Sequence, residues 1–139
     1  MEIISGLYLS QDLLDVVLSH CKNAYPFEAC GILAGKNDIV SVVYEMDNIE
    51  RSSVSYVMDS MEQLHVMKKI RNEGMRMIAI YHSHPQSSAY PSPEDIRLAF
   101  YDEVAYVIVS LIDYDKPDIR TFRISEGKVS EITMKTDGC

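Results

Sequence analysis

The sequence predicts an α/β fold, an α+β sandwich in which one mixed sheet is flanked by about three helices. Three observations predict it. The runs Met75–Ser83 and Val104–Ile112 are apolar on both alternations, the pattern of strands covered on both faces. Segments of helical period with capping residues at their starts lie among them. The remaining β-rich segments come in pairs joined by short turns, so helix and strand interleave along the whole chain.

Each element has its own justification. Residues Ile3–Leu9 read as a short strand or extended lead-in. Ser10 is placed to cap a helix in which Leu14, Val17, Leu18 and Cys21 follow at helical spacing, and Pro26 ends that helix near Asn23. Ala29–Ala34 and Ile39–Met46 form a hairpin around Gly35-Lys36-Asn37-Asp38. Asp47–Ser53 is polar loop, and Val54–Met58 reads as a short edge strand. Asp59 or Ser60 caps the second helix, with Glu62 or Gln63 completing a capping box. That helix runs to about Glu73, where Gly74 suits the C-terminal turn. In Met75–Ser83 the alternation sets Ile78 and Ile80 on one face and Met77, Ala79 and Tyr81 on the other. Pro93–Tyr101 reads as a third helix with Ile96, Ala99 and Phe100 facing inward, and Ile119–Ile124 and Lys128–Met134 close the fold as a hairpin around Glu126-Gly127.

The chain has 139 residues, 47% of them hydrophobic and 24% charged, which suits one globular domain over residues 1–139. No repeat, low-complexity tract or Pro/Gly/Ser-rich linker marks a boundary within it. A net charge of −8 argues against nucleic acid as a partner, which calls for a basic face. No apolar run reaches the length of a membrane span, and no charged segment followed by an apolar stretch marks a signal peptide. Cys21, Cys30 and Cys139 form no CxxC pair and are odd in number, which fits reduced thiols in a cytoplasm. Oligomeric state is left open by the sequence.

The chemistry concentrates in His82-Ser83-His84-Pro85 and Ser92-Pro93-Glu94-Asp95. Two histidines one residue apart on a strand project from the same side, and an aspartate follows eleven residues after the second. Two imidazoles and one carboxylate form a zinc ligand set with a fourth position open, the catalytic kind, which points to a hydrolase. Two rings at the end of a double-buried strand also need polar partners, whatever their role. Asp95 has a second reading. Serine at N-cap, proline at N1 and an acid at N3 make a favourable helix start, so Asp95 could serve as a cap alone. The two readings are partly compatible, because the first turn of a helix stabilises a carboxylate anion. Glu94 is the competing ligand and is expected to point to solvent. A base is also required, and Glu28 lies where polar chain turns into buried strand, but it is one acid among 21.

These segments resemble the JAMM (MPN-plus) metalloproteases, of the short stand-alone prokaryotic type. That family's signature is an upstream glutamate, then His-Ser/Thr-His-Pro, then Ser-x-x-Asp after seven residues, here Pro85–Pro91. Pro26–Leu33, Tyr56-Val57-Met58-Asp59 and Tyr106–Leu111 extend the likeness over nearly the whole chain. The resemblance implies a curved, mostly antiparallel mixed sheet with the cytidine-deaminase-like layout of JAB/MPN domains. It implies one zinc ion held by His82, His84 and Asp95, Glu28 as general acid/base, and Ser92 helping to hold the attacking water and the oxyanion. It implies a peptidase or isopeptidase whose partner is a small ubiquitin-like sulfur-carrier protein ending in Gly-Gly. An extended tail could then add beside the Val54–Met58 edge.

Other classes fit less well. A non-catalytic scaffold of the same family would not need the complete signature. A zinc deaminase uses His-x-Glu and Pro-Cys-x-x-Cys, and neither occurs here. A thiol nucleophile at Cys30 would leave His84 and Asp95 idle. His20 and His65 read as ordinary helical residues, and Tyr90 as either a groove lining or a surface tyrosine.

Overall fold

The computed structural model describes residues 4–137; the expected start of the first strand at Ile3 and the thiol of Cys139 lie outside the described residues. The elements run β1 (Gly6–Tyr8), α1 (Gln11–Ala24), β2 (Cys30–Lys36), β3 (Ile39–Met46), α2 (Ser60–Asn72), β4 (Arg76–His84), α3 (Pro93–Arg97), β5 (Ala105–Ser110), β6 (Asp118–Ser125) and β7 (Lys128–Lys135). The strands close into a ring in the order β1-β3-β2-β4-β5-β6-β7. β2–β3, β2–β4, β5–β6 and β6–β7 are antiparallel, while β4–β5 and both contacts of β1 are parallel. The mixed sheet and three helices agree with the expectation. Closure is the added feature, made by the three residues of β1 pairing with β7 on one side and touching β3 on the other.

Local chemistry explains most boundaries. The Ser10 hydroxyl accepts from Leu13 N–H and starts α1, whose buried stripe is Leu14, Val17 and Cys21. Two-residue turns at Asn37-Asp38 and Glu126-Gly127 join the hairpins, with all four residues at positive φ, as such turns require. Asn and Asp tolerate that region better than other side-chain-bearing residues. Asp59 caps α2 by accepting from Glu62 N–H. The expected reciprocal box is absent, because the Glu62 carboxylate reaches instead to Asp47 N–H at 3.2 Å.

The sheet separates two apolar cores. Leu14, Val17 and Cys21 of α1 pack with Leu33, Tyr81, Val107 and Val109. Ile70 of α2 packs on the other side with Ile32, Ile80, Tyr106, Ile108 and Phe122. β4 lies between β2 and β5 and is buried over its last seven residues. Its alternation differs from the expected one. Leu33 pairs with Ala79 and Ala34 with Met77, so Ile78 is an extra residue in the ladder. Across this bulge Ile78 joins Ala79 and Tyr81 in the first core, while Met77 and Ile80 face the second.

Two further expectations are corrected. Val54–Met58 is not a strand; it makes one bridge, Asn48 to Met58, plus a bond from Ile49 N–H to Val57 carbonyl. α3 stops at Arg97 rather than Tyr101, and Phe100 is 75% exposed instead of facing inward. The Tyr106 hydroxyl accepts from Tyr101 N–H, a tertiary contact that draws the backbone out of the helical path. Ile96 and Ala99 do pack on the second core.

Candidate functional site

The end of β4 carries both histidines, and its neighbours hold them in place. His82 stands opposite Cys30 of β2 and beside Ile108 of β5, while His84 stands beside Ser110. The serine between them ties β4 to the start of β2. Ser83 Oγ accepts from Ala29 N–H at 2.8 Å, and Ser83 N–H donates to Ala29 carbonyl at 3.0 Å. This pairing brings the preceding residue, Glu28, to the His84 end of the strand. Its backbone is clamped on both sides: Glu28 N–H donates to Ser52 carbonyl, and its carbonyl accepts from Asn48 Nδ2.

Asp95 reaches the histidines from the other direction. The Ser92 hydroxyl accepts from Asp95 N–H at 3.0 Å, and the Asp95 carboxylate accepts from Ser92 N–H at 2.9 Å, a complete capping box. The same oxygen, Oδ2, lies 3.1 Å from His82 Nε2 and 3.0 Å from His84 Nε2. Cap and cluster are thus served by one carboxylate. Glu94 is exposed and pairs with Arg97, as expected for the acid that points away.

The two Nε2 atoms are themselves 3.0 Å apart, so three potential ligand atoms converge on one point. His84 Nδ1 donates to Ser88 carbonyl at 2.7 Å, which leaves the lone pair of a neutral ring on Nε2. One such lone pair facing a carboxylate oxygen and a second imidazole calls for a shared cation. Donors 2.0–2.1 Å from a tetrahedral ion lie about 3.3 Å apart, close to the observed triangle. The donor set therefore fits a divalent metal. Among the described residues these three form the candidate metal group.

Burial sets the electrostatics. It pushes the Asp95 carboxyl up, but bonds from His82, His84 and Ser92 outweigh it and hold the group well below the usual carboxylate range. Burial lowers His82, with Asp95 partly opposing. His84 is pulled down by burial, yet Asp95 and the Ser88 carbonyl carry it above its ordinary value. Glu28 is 3% exposed, and its Oε1 is buried without a hydrogen-bond partner. Burial drives it up, His84 draws it down and Asp95 drives it up again, leaving it at about 8. A carboxyl so poised exchanges protons near neutrality.

A cavity of about 330 Å³ opens beside Asp95, lined by Ser55, Tyr56, Val57, Ile80, Tyr106 and neighbours in and after α3. Tyr56 stacks on His82 with ring centroids 4.7 Å apart. A family model described as prokaryotic homologs of the JAB domain matches residues 10–125, a span that contains Glu28, both histidines, Ser92 and Asp95. The chain belongs to that family.

Relatives of this JAB-family chain agree over most of its length. A Mycobacterium tuberculosis protein named CysO-cysteine peptidase is 38% identical over 127 residues, 90% of this chain and 87% of that one. A Haloferax volcanii protein named desampylase is 33% identical, over 76% of this chain and 81% of its own. The solution structure of a Desulfitobacterium hafniense protein superposes with a TM-score of 0.85 at 36% identity, covering 94% of this chain and 92% of that one.

Some parts of the site in this JAB chain were not singled out from sequence. The Ser88 contact uses a backbone carbonyl, which no residue type announces. The Ser83 hydroxyl and Asn48 act on the backbone around Glu28; Ser83 was read only as a member of the His-Ser-His-Pro motif and Asn48 only as part of the polar loop Asp47–Ser53. His20 bonds Tyr81 Oη at 2.6 Å, away from the metal group, and His65 is exposed on α2. Tyr90 is 54% exposed and packs edge-on against Phe122. The Cys30 thiol is buried and pushed up to about 12, which makes it a poor nucleophile.

Proposed function

We propose that the chain is a zinc-dependent peptidase or isopeptidase that hydrolyses the amide bond after the C-terminal Gly-Gly of a small ubiquitin-like sulfur-carrier protein. One observation carries the reading: a three-atom ligand cluster stands near a buried, unpartnered carboxyl titrating near neutrality. Family membership and relatives named CysO-cysteine peptidase and desampylase support the hydrolase class and the conjugate class of substrate. His82, His84 and Asp95 would hold the ion. Bound zinc supplies Lewis acidity, which acidifies a water and polarises a carbonyl.

The chain's own groups do the rest. Glu28 takes a proton at its carboxylate from the attacking water and passes it to the departing amine. Ser92 Oγ already accepts from Asp95 N–H, so its hydroxyl hydrogen remains to donate toward the developing oxyanion. Ser88 and Ser92 hold the ligand side chains in orientation.

The substrate tail would lie along the cavity wall formed by residues 55–57. Val57 already uses both its peptide groups, donating to Asn48 Oδ1 and accepting from Ile49. Tyr56 N–H and carbonyl make no bond among the described residues, and strand-like pairing of a tail would use these. With Tyr56 stacked on His82, only glycine-sized residues would pass close to the metal. A reducing cytoplasm fits the two buried free thiols, Cys21 and Cys30, and no helix among the described residues is long and apolar enough to cross a membrane.

The reading is tested with amide conjugates of a carrier protein ending in Gly-Gly or in Ala-Ala. Cleavage of the first, loss with the second and loss on chelation are expected. Equal cleavage of both conjugates would contradict the assigned specificity.

A further inference from the structure

The strongest unexplained cluster outside the ligand group centres on Asn48. Its side chain has two donors and two acceptor positions, and all four are used. Nδ2 donates to Glu28 carbonyl at 3.1 Å and to Ser55 carbonyl at 3.0 Å. Oδ1 accepts from Glu50 N–H and Val57 N–H, each at 3.1 Å. The backbone around it closes the same loop. Ile49 N–H donates to Val57 carbonyl, Glu28 N–H to Ser52 carbonyl, and Asn48 bridges Met58. One half-buried amide therefore joins the residue carrying the base to the 55–57 segment that walls the cavity and presents Tyr56 to His82.

We infer that Asn48 is a positioning residue that sets the base and the substrate-binding wall in one fixed relation. The inference rests on Glu28 being the base and the 55–57 wall being the tail site. Segment 47–58 has no ladder of its own; its single bridge and scattered bonds make this side chain the main link across it. Loss of the amide frees both ends at once. Glu28 loses a partner on its own carbonyl, the wall loses two of its anchors, at Ser55 and Val57, and the loop before it loses the contact at Glu50.

That double role gives a signature which misfolding does not share. A smaller folded fraction lowers apparent kcat and leaves KM alone. A broken hub lowers kcat through the misplaced base and raises KM through the slackened wall. Misplacement by about 1 Å is enough for large rate losses. The experiment measures kcat and KM for zinc-loaded Asn48→Ala and Asn48→Asp on an amide conjugate of a Gly-Gly-ending carrier protein, beside Glu28→Gln. Asn48→Asp keeps the shape and both acceptor contacts but turns the two donors into an oxygen facing two carbonyls. Both variants are expected to lose about tenfold or more in kcat and to gain about threefold or more in KM, with zinc content unchanged. Wild-type kcat in either variant, or a kcat loss with unchanged KM, overturns the inference. Wild-type turnover by Glu28→Gln instead overturns the assignment of the base. Should neither variant fold, amide exchange in the unmodified protein decides: slow exchange at Glu50 and Val57 supports the hub, and free exchange there overturns it.

Discussion

Glu28 illustrates the cost of burying a carboxyl without a hydrogen-bond partner. Its carboxyl titrates near 4.5 in an unfolded chain and at about 8 in the folded, metal-free protein. Between these values the folded state binds the extra proton, so stability falls as pH rises through that window and is unpenalised below it. Glu28→Gln is therefore expected to stabilise the metal-free protein at pH 8 by up to about 4 kcal/mol, less as far as solvent screens the group, and to have little effect at pH 4. Denaturant melts of both proteins at the two pH values check this; equal differences at both would contradict the buried-acid account. Under the proposed function Ser92 has two separable duties. Ser92→Ala is expected to lose about 1 kcal/mol of stability as a cap and about 10²-fold in kcat as an oxyanion donor, the first read in a melt and the second in steady-state kinetics.

β4 is the element on which the site depends. Its side chains are locked from both neighbours, and Gly31 on β2 shows how tightly: a Cβ there would lie 2.2 Å from the Tyr81 ring. Gly31→Ala is expected to destabilise by about 1–3 kcal/mol, with Tyr81 forced from its contact with His20. An unchanged unfolding midpoint would show that the ring has room to move. The same strand shows what the sequence reveals and what it hides. His82 and His84 were readable as partners because a spacing of two along a strand sets both on one face. Asp95 was readable because Ser92-Pro93 announces a helix start, and the first-turn acid then has a known direction. The bulge at Ile78 was not readable, because it depends on how β2 and β4 mismatch in length, not on any residue within β4. Phe100 was misplaced for a related reason: apolar spacing continued past Arg97, but the Tyr106 hydroxyl ended the helix from a distance. Val54–Met58 has strand-like composition, yet Asn48 takes up the backbone groups that a paired strand would need.

At the scale of the molecule, the proposed ligands come from β4 and α3, the proposed base from the segment just before β2 and the cavity wall from the loop before α2. A cation at their meeting point links separate segments and binds the folded state alone, so it should stabilise the whole fold. Zinc at about 100 times its Kd is expected to add about 2.7 kcal/mol to unfolding stability, reversed by chelation. Acid should release it, because protons compete for His84, whose affinity for a proton is raised in the metal-free protein. Calorimetric melts with and without zinc across pH check both statements. The most direct test of the central claim measures zinc content and conjugate turnover together in the unmodified protein, Glu28→Gln and His84→Ala. One zinc per chain is expected in the first two and none in the third, with turnover in the first alone. Full turnover by Glu28→Gln, or by a His84→Ala protein free of metal, would contradict it.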